Sequence, residues 1–255
     1  MIFLKSPEEI EKMRTSGKLV AEILMEIRGR IKPGVTTQEL DLLAARLSLK
    51  KKARPAFKGY HGFPFSLCVS VNEEVVHGFP SGRRLREGDI VSLDFGVFHD
   101  GYYGDAALTQ AVGKITPQAE ELIKVTRESL FKGLEQMRAG RRLGDISFAV
   151  QQYVESHKFS VVRQFVGHGI GKSLHEDPQV PNFGEEGRGI FLKPGMVLAI
   201  EPMVNAGSSE VEIKADGWTA VTKDRSLSAH FEHTIAITEN GFRILTQAGH
   251  GATLF

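Results

Sequence analysis

The sequence predicts an α+β fold in which one unit, two helices followed by strands, occurs twice around a shared core. Three pairs of landmarks carry this reading. Lys32-Pro33-Gly34 with Leu40 six residues on matches Arg138-Ala139-Gly140 with Ile146 six residues on, a shift of 140 − 34 = 106. Leu85-Arg86-Glu87-Gly88 leads six residues later to Asp94, and Leu192-Lys193-Pro194-Gly195 leads six residues later to Glu201, a shift of 201 − 94 = 107. Helix-start signals at Ser6-Pro7 and Thr116-Pro117 lie 116 − 6 = 110 positions apart. Glycine and proline punctuate many loops by chance, but here the order of the elements agrees as well as their spacing. The halves, about 6–112 and 116–245, are expected to pack as one domain over residues 1–255, since no linker, low-complexity segment or long charge run divides them.

Each element has its own signal. Ser6 is placed as an N-cap, Pro7 as the first helical residue and Glu9 to complete a capping box, and the helix runs toward Arg28. Thr36 and Glu39 cap a second helix through Leu40. Ile90 to Gly96 is a β-branched run, Asp100-Gly101 turns the chain, and Tyr102 to Val112 returns as a second strand. Thr116-Pro117-Gln118 opens a helix carrying Leu122, Ile123, Val125, Leu130 and Leu134. Val197 to Met203 and Phe231 to Ile237 read as strands, and Gly249 to Phe255 as a loose tail. From Phe65 to Asn72 the apolar Phe65, Leu67, Val69 and Val71 alternate with Ser66, Cys68, Ser70 and Asn72. Cys68 therefore turns from the main core, either into a cleft or as a small hydrophobe filling space.

Composition narrows the partners. Lys plus Arg number 32 against 31 Asp plus Glu, a formal charge of +1 that gives no global drive toward a polyanion or a membrane surface. The single cysteine permits no internal disulfide and suits a reducing, cytoplasmic setting. The first residues are too short and too acidic a run for a secretory signal, and no apolar stretch has the length of a membrane span. Lys50-Lys51-Lys52-Arg54 and Arg83-Arg84-Arg86 read first as solvated surface, with a transient contact to ribosomal RNA as the weaker alternative. A monomer is expected.

Four strands are interrupted by an acid. If Asp100-Gly101 closes a hairpin with an even-numbered loop, opposed residues sum to an odd number, so Asp94 faces odd positions and shares a sheet face with Asp105. Either aspartate alone reads as a turn or edge residue. Together on an apolar hairpin they repel unless a cation lies between them or one is protonated. Glu201 and Glu232 repeat the pattern, and Gly167-His168-Gly169-Ile170-Gly171 sets an imidazole among glycines. Four carboxylates and one imidazole are too oxygen-rich for a structural zinc; two divalent ions bridged by shared carboxylates fit better.

These residues, with His175-Glu176-Asp177-Pro178, Ile200-Glu201-Pro202 and Phe231-Glu232-His233-Thr234, resemble the type I methionine aminopeptidases of the pita-bread fold, and the match covers nearly the whole chain. The resemblance implies two metal ions, whose identity among Co, Mn, Fe and Zn is open. Asp94 would chelate one, His168 and Glu201 would hold the other, and Asp105 and Glu232 would bridge them. It implies a substrate-facing His77, from Val75-Val76-His77-Gly78-Phe79-Pro80, and a His175 that contacts the scissile carbonyl. The methionine pocket would be walled by Tyr60, Phe63, Cys68, Leu174 and Trp218. Leu174 departs from the aromatic residue found there in many bacterial members, which leaves substrate preference in detail open. His61, His99, His157, His230, His233 and His250 are read as packed or surface residues.

The implied reaction is removal of the initiator methionine from nascent polypeptide N-termini, with a small second residue and with Glu201 or the neighbouring carboxylates moving the proton of the attacking water. Competing motifs fail: Gly171-Lys172-Ser173 lacks the first glycine of a P-loop, His175-Glu176 lacks the second histidine of a zincin helix, and there is no G-x-S-x-G elbow. Two rivals stand. A proline-specific aminopeptidase of the same fold would carry an additional N-terminal domain, and a metal-free binding module would have lost ligands.

Overall fold

Helix α1 (Pro7–Arg28) starts where its capping residues dictate. Ser6 Oγ accepts the Glu9 N–H at 3.3 Å and the Glu9 carboxylate accepts the Ser6 N–H at 2.9 Å, satisfying two donors that a helix start leaves orphaned. The structure is a computed structural model that describes residues 1–248 and 254–255. Thr36 and Glu39 box α2 (Thr37–Lys50) in the same way. Thr116 caps α3 (Pro117–Leu134), and the Asp145 carboxylate accepts the Arg142 N–H at the head of α4 (Leu143–Ser156). The helices bury apolar stripes: Val20, Ile23, Leu24 and Ile27 of α1, and Leu122, Val125, Leu130 and Leu134 of α3, are all fully covered.

The duplication shows in the hydrogen bonds themselves. Gly34 donates to the Leu85 carbonyl at 2.8 Å and Gly140 to the Leu192 carbonyl at 3.1 Å, while Leu85 and Leu192 each return a bond of 2.8 Å, to Val35 and Arg141. The turn glycines also match, with φ of 92° and 85° at Gly34 and Gly140 and of 93° and 87° at Gly88 and Gly195. A β-carbon is disfavoured at such angles, which explains why these landmarks were legible.

Among the described residues the main sheet has nine strands, all paired antiparallel. Across its middle the order is Ile90–His99, Tyr102–Ala111, Glu232–Thr238, Val197–Ile200 and Gly167–Gly169, with Glu176–Val180 at the far edge. Cys68–Val71 pairs with the outer side of Ile90–His99. The two halves of the chain meet where Tyr102–Ala111 pairs with Glu232–Thr238. One face of this sheet, carrying Leu67, Val69, Leu93, Phe95, Leu198 and Ile200, shares a core with helices of both halves, including Val20 and Leu24 of α1, Leu40 of α2, Leu130 and Leu134 of α3 and Ile146 of α4.

Two local expectations are corrected. The strand around Cys68 begins only at that residue, and Phe65 packs edge-on against Phe63 and Phe79 instead of joining Leu67 and Val69 in the main core. At the C-terminus residues 249–253, His250 among them, lie outside the described residues, but Leu254 is buried and Phe255 stacks on His233 with ring centroids 4.5 Å apart. Leu254 and Phe255 are therefore anchored by apolar packing, where a loose tail was expected.

Candidate metal centre

Sheet register brings the five candidate ligands into one row. Asp94 is opposite Ala107, Ala107 is opposite Glu232, and Asp105 sits two residues from Ala107. His233 is opposite Ile200, which sets Glu232 level with Glu201, and His168 is opposite Ala199, two residues before Glu201. Directly opposed residues in an antiparallel pair share a face, as do residues two apart on one strand. All five side chains therefore project from the same face, in the sheet order Asp94, Asp105, Glu232, Glu201, His168. Cys68, opposite Asp94, shares that face, as its alternation foretold. The hairpin arithmetic for Asp94 and Asp105 holds.

The glycines around His168 permit the row to close up. A β-carbon at Gly167 would lie 2.4 Å from the Ala199 carbonyl oxygen, and one at Gly169 2.2 Å from that of Asp177. His168 Nδ1 lies 2.8 Å from the Gly169 carbonyl; a carbonyl only accepts, so Nδ1 carries the proton and the Nε2 lone pair faces the row. Nε2 is 3.5 Å from Glu201 Oε1. A lone pair and a carboxylate oxygen at that distance call for a cation or a proton between them.

The carboxylates make the same demand. Asp94 Oδ1, Asp105 Oδ1 and Glu232 Oε1 are buried without a hydrogen-bond partner among the described residues, an arrangement that native proteins rarely tolerate. Burial pushes the carboxyls of Asp105, Glu201 and Glu232 well above their usual range, and the charge of neighbouring acids pushes Asp105 and Glu232 further the same way. Burial raises Asp94 to about 7, with Glu201 adding to the rise and His230 opposing it. One ligand atom each from Asp105, His168 and Glu232 lies within 4.8 Å of the other two. The donor set fits divalent ions: they would neutralise acids that are otherwise forced toward protonation.

Beside the row lies a cavity of ≈ 330 Å³ to which every sequence-derived pocket residue contributes: Tyr60, Phe63, Cys68, His77, Leu174, His175 and Trp218. Its apolar wall is Phe63, Cys68 and Leu174, all buried, with Phe63 edge-on to Trp218 at 5.2 Å between ring centroids. Asp216 presents Trp218 by accepting its N–H at 2.9 Å, and it also accepts the N–H and the hydroxyl of Thr219. His77 follows the strand Glu74–Val76 with φ of 59°, a left-handed conformation costly for a non-glycine residue and typical of functional sites. Burial, then the neighbouring His230 and His175, pushes His77 down to about 4, and burial with His175 beside it pushes His168 to about 3. His175 lies at the mouth, its ring 4.2 Å from that of His168 and its Nδ1 2.7 Å from the Tyr60 hydroxyl. Burial and the nearby His61 hold it below its ordinary value.

The loop bearing Leu174 and His175 is tied down from the start of the chain. Lys5 Nζ reaches Glu176 Oε2 at 2.6 Å, both side chains less than a tenth exposed, and Glu176 Oε1 accepts the Ser173 N–H at 3.1 Å. A β-carbon at Gly171 would lie 2.6 Å from both Glu176 Oε1 and Lys5 Cε.

Sequence reasoning missed several lining residues, Phe57, His61, Phe165 and Met203, and it missed His230, buried beside the acids. His61, read as a packed or surface residue, is exposed, and it also lines the cavity beside Tyr60. His230 is packed, but within the site, with Nε2 3.6 Å from Glu201 Oε2. It precedes Glu232 by two positions, the period of a strand, and that signal would have found it.

Known proteins arrange themselves around this geometry. The model of metallopeptidase family M24 matches residues 11–239. Methionine aminopeptidase 1 of Bacillus subtilis is 56% identical over 247 residues, spanning 97% of this chain and 100% of the relative. The crystal structure of a methionine aminopeptidase from Thermotoga maritima is 53% identical and superposes with a TM-score of 0.95 over 96% of this chain and 99% of its own. A prolidase from Pyrococcus horikoshii shares the fold alone, at 23% identity and a TM-score of 0.78, and this chain spans 64% of its length. The fold is thus the pita-bread fold, and no helix among the described residues is long and apolar enough to cross a membrane. With a matched family model over most of its length and the donor row in place, the chain belongs to metallopeptidase family M24.

Proposed function

We propose that the chain is a metal-dependent aminopeptidase that hydrolyses the bond after an N-terminal methionine, with two divalent ions held by Asp94, Asp105, His168, Glu201 and Glu232. The row of five donors, contributed by consecutive sheet strands beside an apolar cavity, carries the proposal. Its order suggests the division of labour: Asp94 stands at one end, Glu201 and His168 at the other, and Asp105 and Glu232 between them are placed to be shared. Divalent ions bound there would polarise the scissile carbonyl and make water a competent nucleophile near neutral pH. An oxygen-rich set with one nitrogen accommodates Mn, Fe, Co or Zn alike. Since the ligands come from both halves of the chain, we infer that the halves act as one domain.

The protein's own groups do the rest. Glu201 is placed to take a proton from the attacking water and return it. The Tyr60 hydroxyl lies 2.7 Å from His175 Nδ1; with the hydroxyl as donor, the imidazole proton sits on Nε2 and serves as a donor toward the oxyanion. His77, neutral at working pH, faces the leaving nitrogen. Phe63, Cys68, Leu174 and Trp218 enclose a methionine side chain, and acids surround the place of its free α-amine, which an acetylated or internal residue does not offer. The substrates are then nascent polypeptide N-termini with a small second residue. Of the basic side chains that read first as solvated surface, Lys51 pairs with Glu22 at 2.7 Å and Arg83 with Glu74 at 3.4 Å, which weighs against a contact with ribosomal RNA through those two residues; the monomer expected from the sequence is kept as part of this proposal.

Rates on Met-Ala, Met-Leu, Ala-Pro and acetyl-Met-Ala peptides test this reading. Met-Ala is expected fastest, with Met-Leu slow and acetyl-Met-Ala uncleaved. Preference for Ala-Pro would move the chain to the proline-specific branch.

A further inference from the structure

Two imidazoles flank the Glu201 carboxylate, and the reaction proposed above gives work to only one. His168 Nε2 lies 3.5 Å from Oε1, and His230 Nε2 lies 3.6 Å from Oε2. The tautomer of His168 is fixed by the Gly169 carbonyl, so it presents a lone pair. His230 has no such partner: its side chain is 1% exposed, yet neither ring nitrogen is hydrogen-bonded among the described residues.

The ring is aimed by a backbone that is held firmly. The His230 N–H donates to Thr109 Oγ1 at 2.8 Å, Thr109 Oγ1 returns a bond to the His230 carbonyl at 2.9 Å, and Ser92 Oγ braces that hydroxyl at 2.8 Å. His230 is also opposite Met203, the second residue after Glu201. The same local structure that sets the Glu201 backbone therefore sets the imidazole. A neutral imidazole offers one N–H donor and one lone pair. A lone pair facing a carboxylate oxygen repels it, so the nitrogen beside Oε2 is the one that carries the proton. The remaining gap is some tenths of an ångström beyond a formed N–H···O bond, which a small side-chain rotation closes.

We infer that His230 is a positioning residue for Glu201: in the Nε2–H tautomer it donates to Oε2 and fixes the rotation of the carboxylate, leaving Oε1 on the side of His168. The inference rests on the reading of Glu201 as ligand and proton carrier. It separates two imidazoles of opposite character, one offering a lone pair and the other a proton. Such outer partners of ligating groups commonly change activity or affinity by about 10- to 100-fold when removed.

The test compares His230→Leu with His230→Gln, whose amide N–H reaches the place of Nε2, and adds ¹⁵N NMR of the histidine rings in metal-free wild-type protein. At saturating Mn²⁺, His230→Leu is expected to lose about 10- to 100-fold in kcat on a Met-Ala-Ser peptide with KM changed by less than about threefold. His230→Gln is expected to recover kcat to within about threefold of wild type. The NMR spectrum should place the His230 proton on Nε2. A Gln variant as slow as the Leu variant, or a proton on Nδ1, overturns the inference. Loss of bound metal from both variants also overturns it, by moving His230 into the ligand set. If wild-type protein fails to cleave the peptide or ignores chelator, the functional reading is at fault, and the metal-free spectrum still decides the tautomer.

Discussion

His168 and His175 stand 4.2 Å apart between ring centroids, yet their hydrogen bonds assign them different work. His168 gives its Nδ1 proton to a carbonyl and turns a lone pair on the acids; His175 shares a hydrogen bond with the Tyr60 hydroxyl at Nδ1 and, in the tautomer proposed for it, turns an Nε2 donor outward. His168→Ala should therefore lose metal and activity together. His175→Ala should keep its metal and lose roughly 10²–10³ in kcat, or ~3–4 kcal/mol of transition-state stabilisation, with a far smaller change in KM. Metal content measured beside kcat and KM decides between these roles: metal loss in His175→Ala would make it a ligand. The acids were legible because a charge inside a β-branched run contradicts its surroundings, and parity placed Asp94 and Asp105 on one face. A histidine contradicts less. His77 and His175 came from motif resemblance alone, while His61, an exposed residue, and His230, a packed one, gave no sign in the sequence of their nearness to the site, because imidazole suits many environments.

The loop that carries Leu174 and His175 depends on an element far away in sequence. Lys5, just before α1, donates its backbone N–H to the Gly195 carbonyl at 2.7 Å and pairs its ammonium with Glu176. Lys5→Met would strand a buried carboxylate, a change that costs roughly 3–5 kcal/mol, and adding Glu176→Gln should recover much of the loss. Thermal midpoints of the two single variants and the double one check this: equal losses that simply add would mean the pair is not coupled. Helix starts were read correctly because caps are local chemistry, as the paired Ser6–Glu9 bonds show. The contacts of Lys5 with Glu176 span the whole molecule and left no local trace. Phe65 broke its apparent alternation for a similar reason, since Phe63 and Phe79 offered aromatic packing that a two-residue period does not encode.

Over the whole molecule, the duplicated frame brings buried acids together at the junction of the halves, and stability should answer to metal and pH jointly. A carboxyl whose pKa is higher in the folded than in the unfolded chain favours folding while it is protonated. Its contribution is complete below the unfolded value of about 4 and is lost as pH climbs through the folded value, about 7 for Asp94. The thermal midpoint of metal-free protein should be depressed across that window, and the rise produced by saturating Mn²⁺ should grow with pH, because deprotonated ligands bind best. A metal-induced rise that shrinks between about pH 5 and about pH 7.5 would contradict the assignment of these acids. The repeat itself was legible because its turns demand glycine at Gly34, Gly88, Gly140 and Gly195. The central claim, that the acid row holds metal required for removal of an N-terminal methionine, is tested most directly by one measurement. Cleavage of a Met-Ala-Ser peptide is followed in metal-stripped protein, then again after divalent metal is restored up to two equivalents. Negligible cleavage that returns with metal is the result expected, and full activity in the stripped protein would contradict the account.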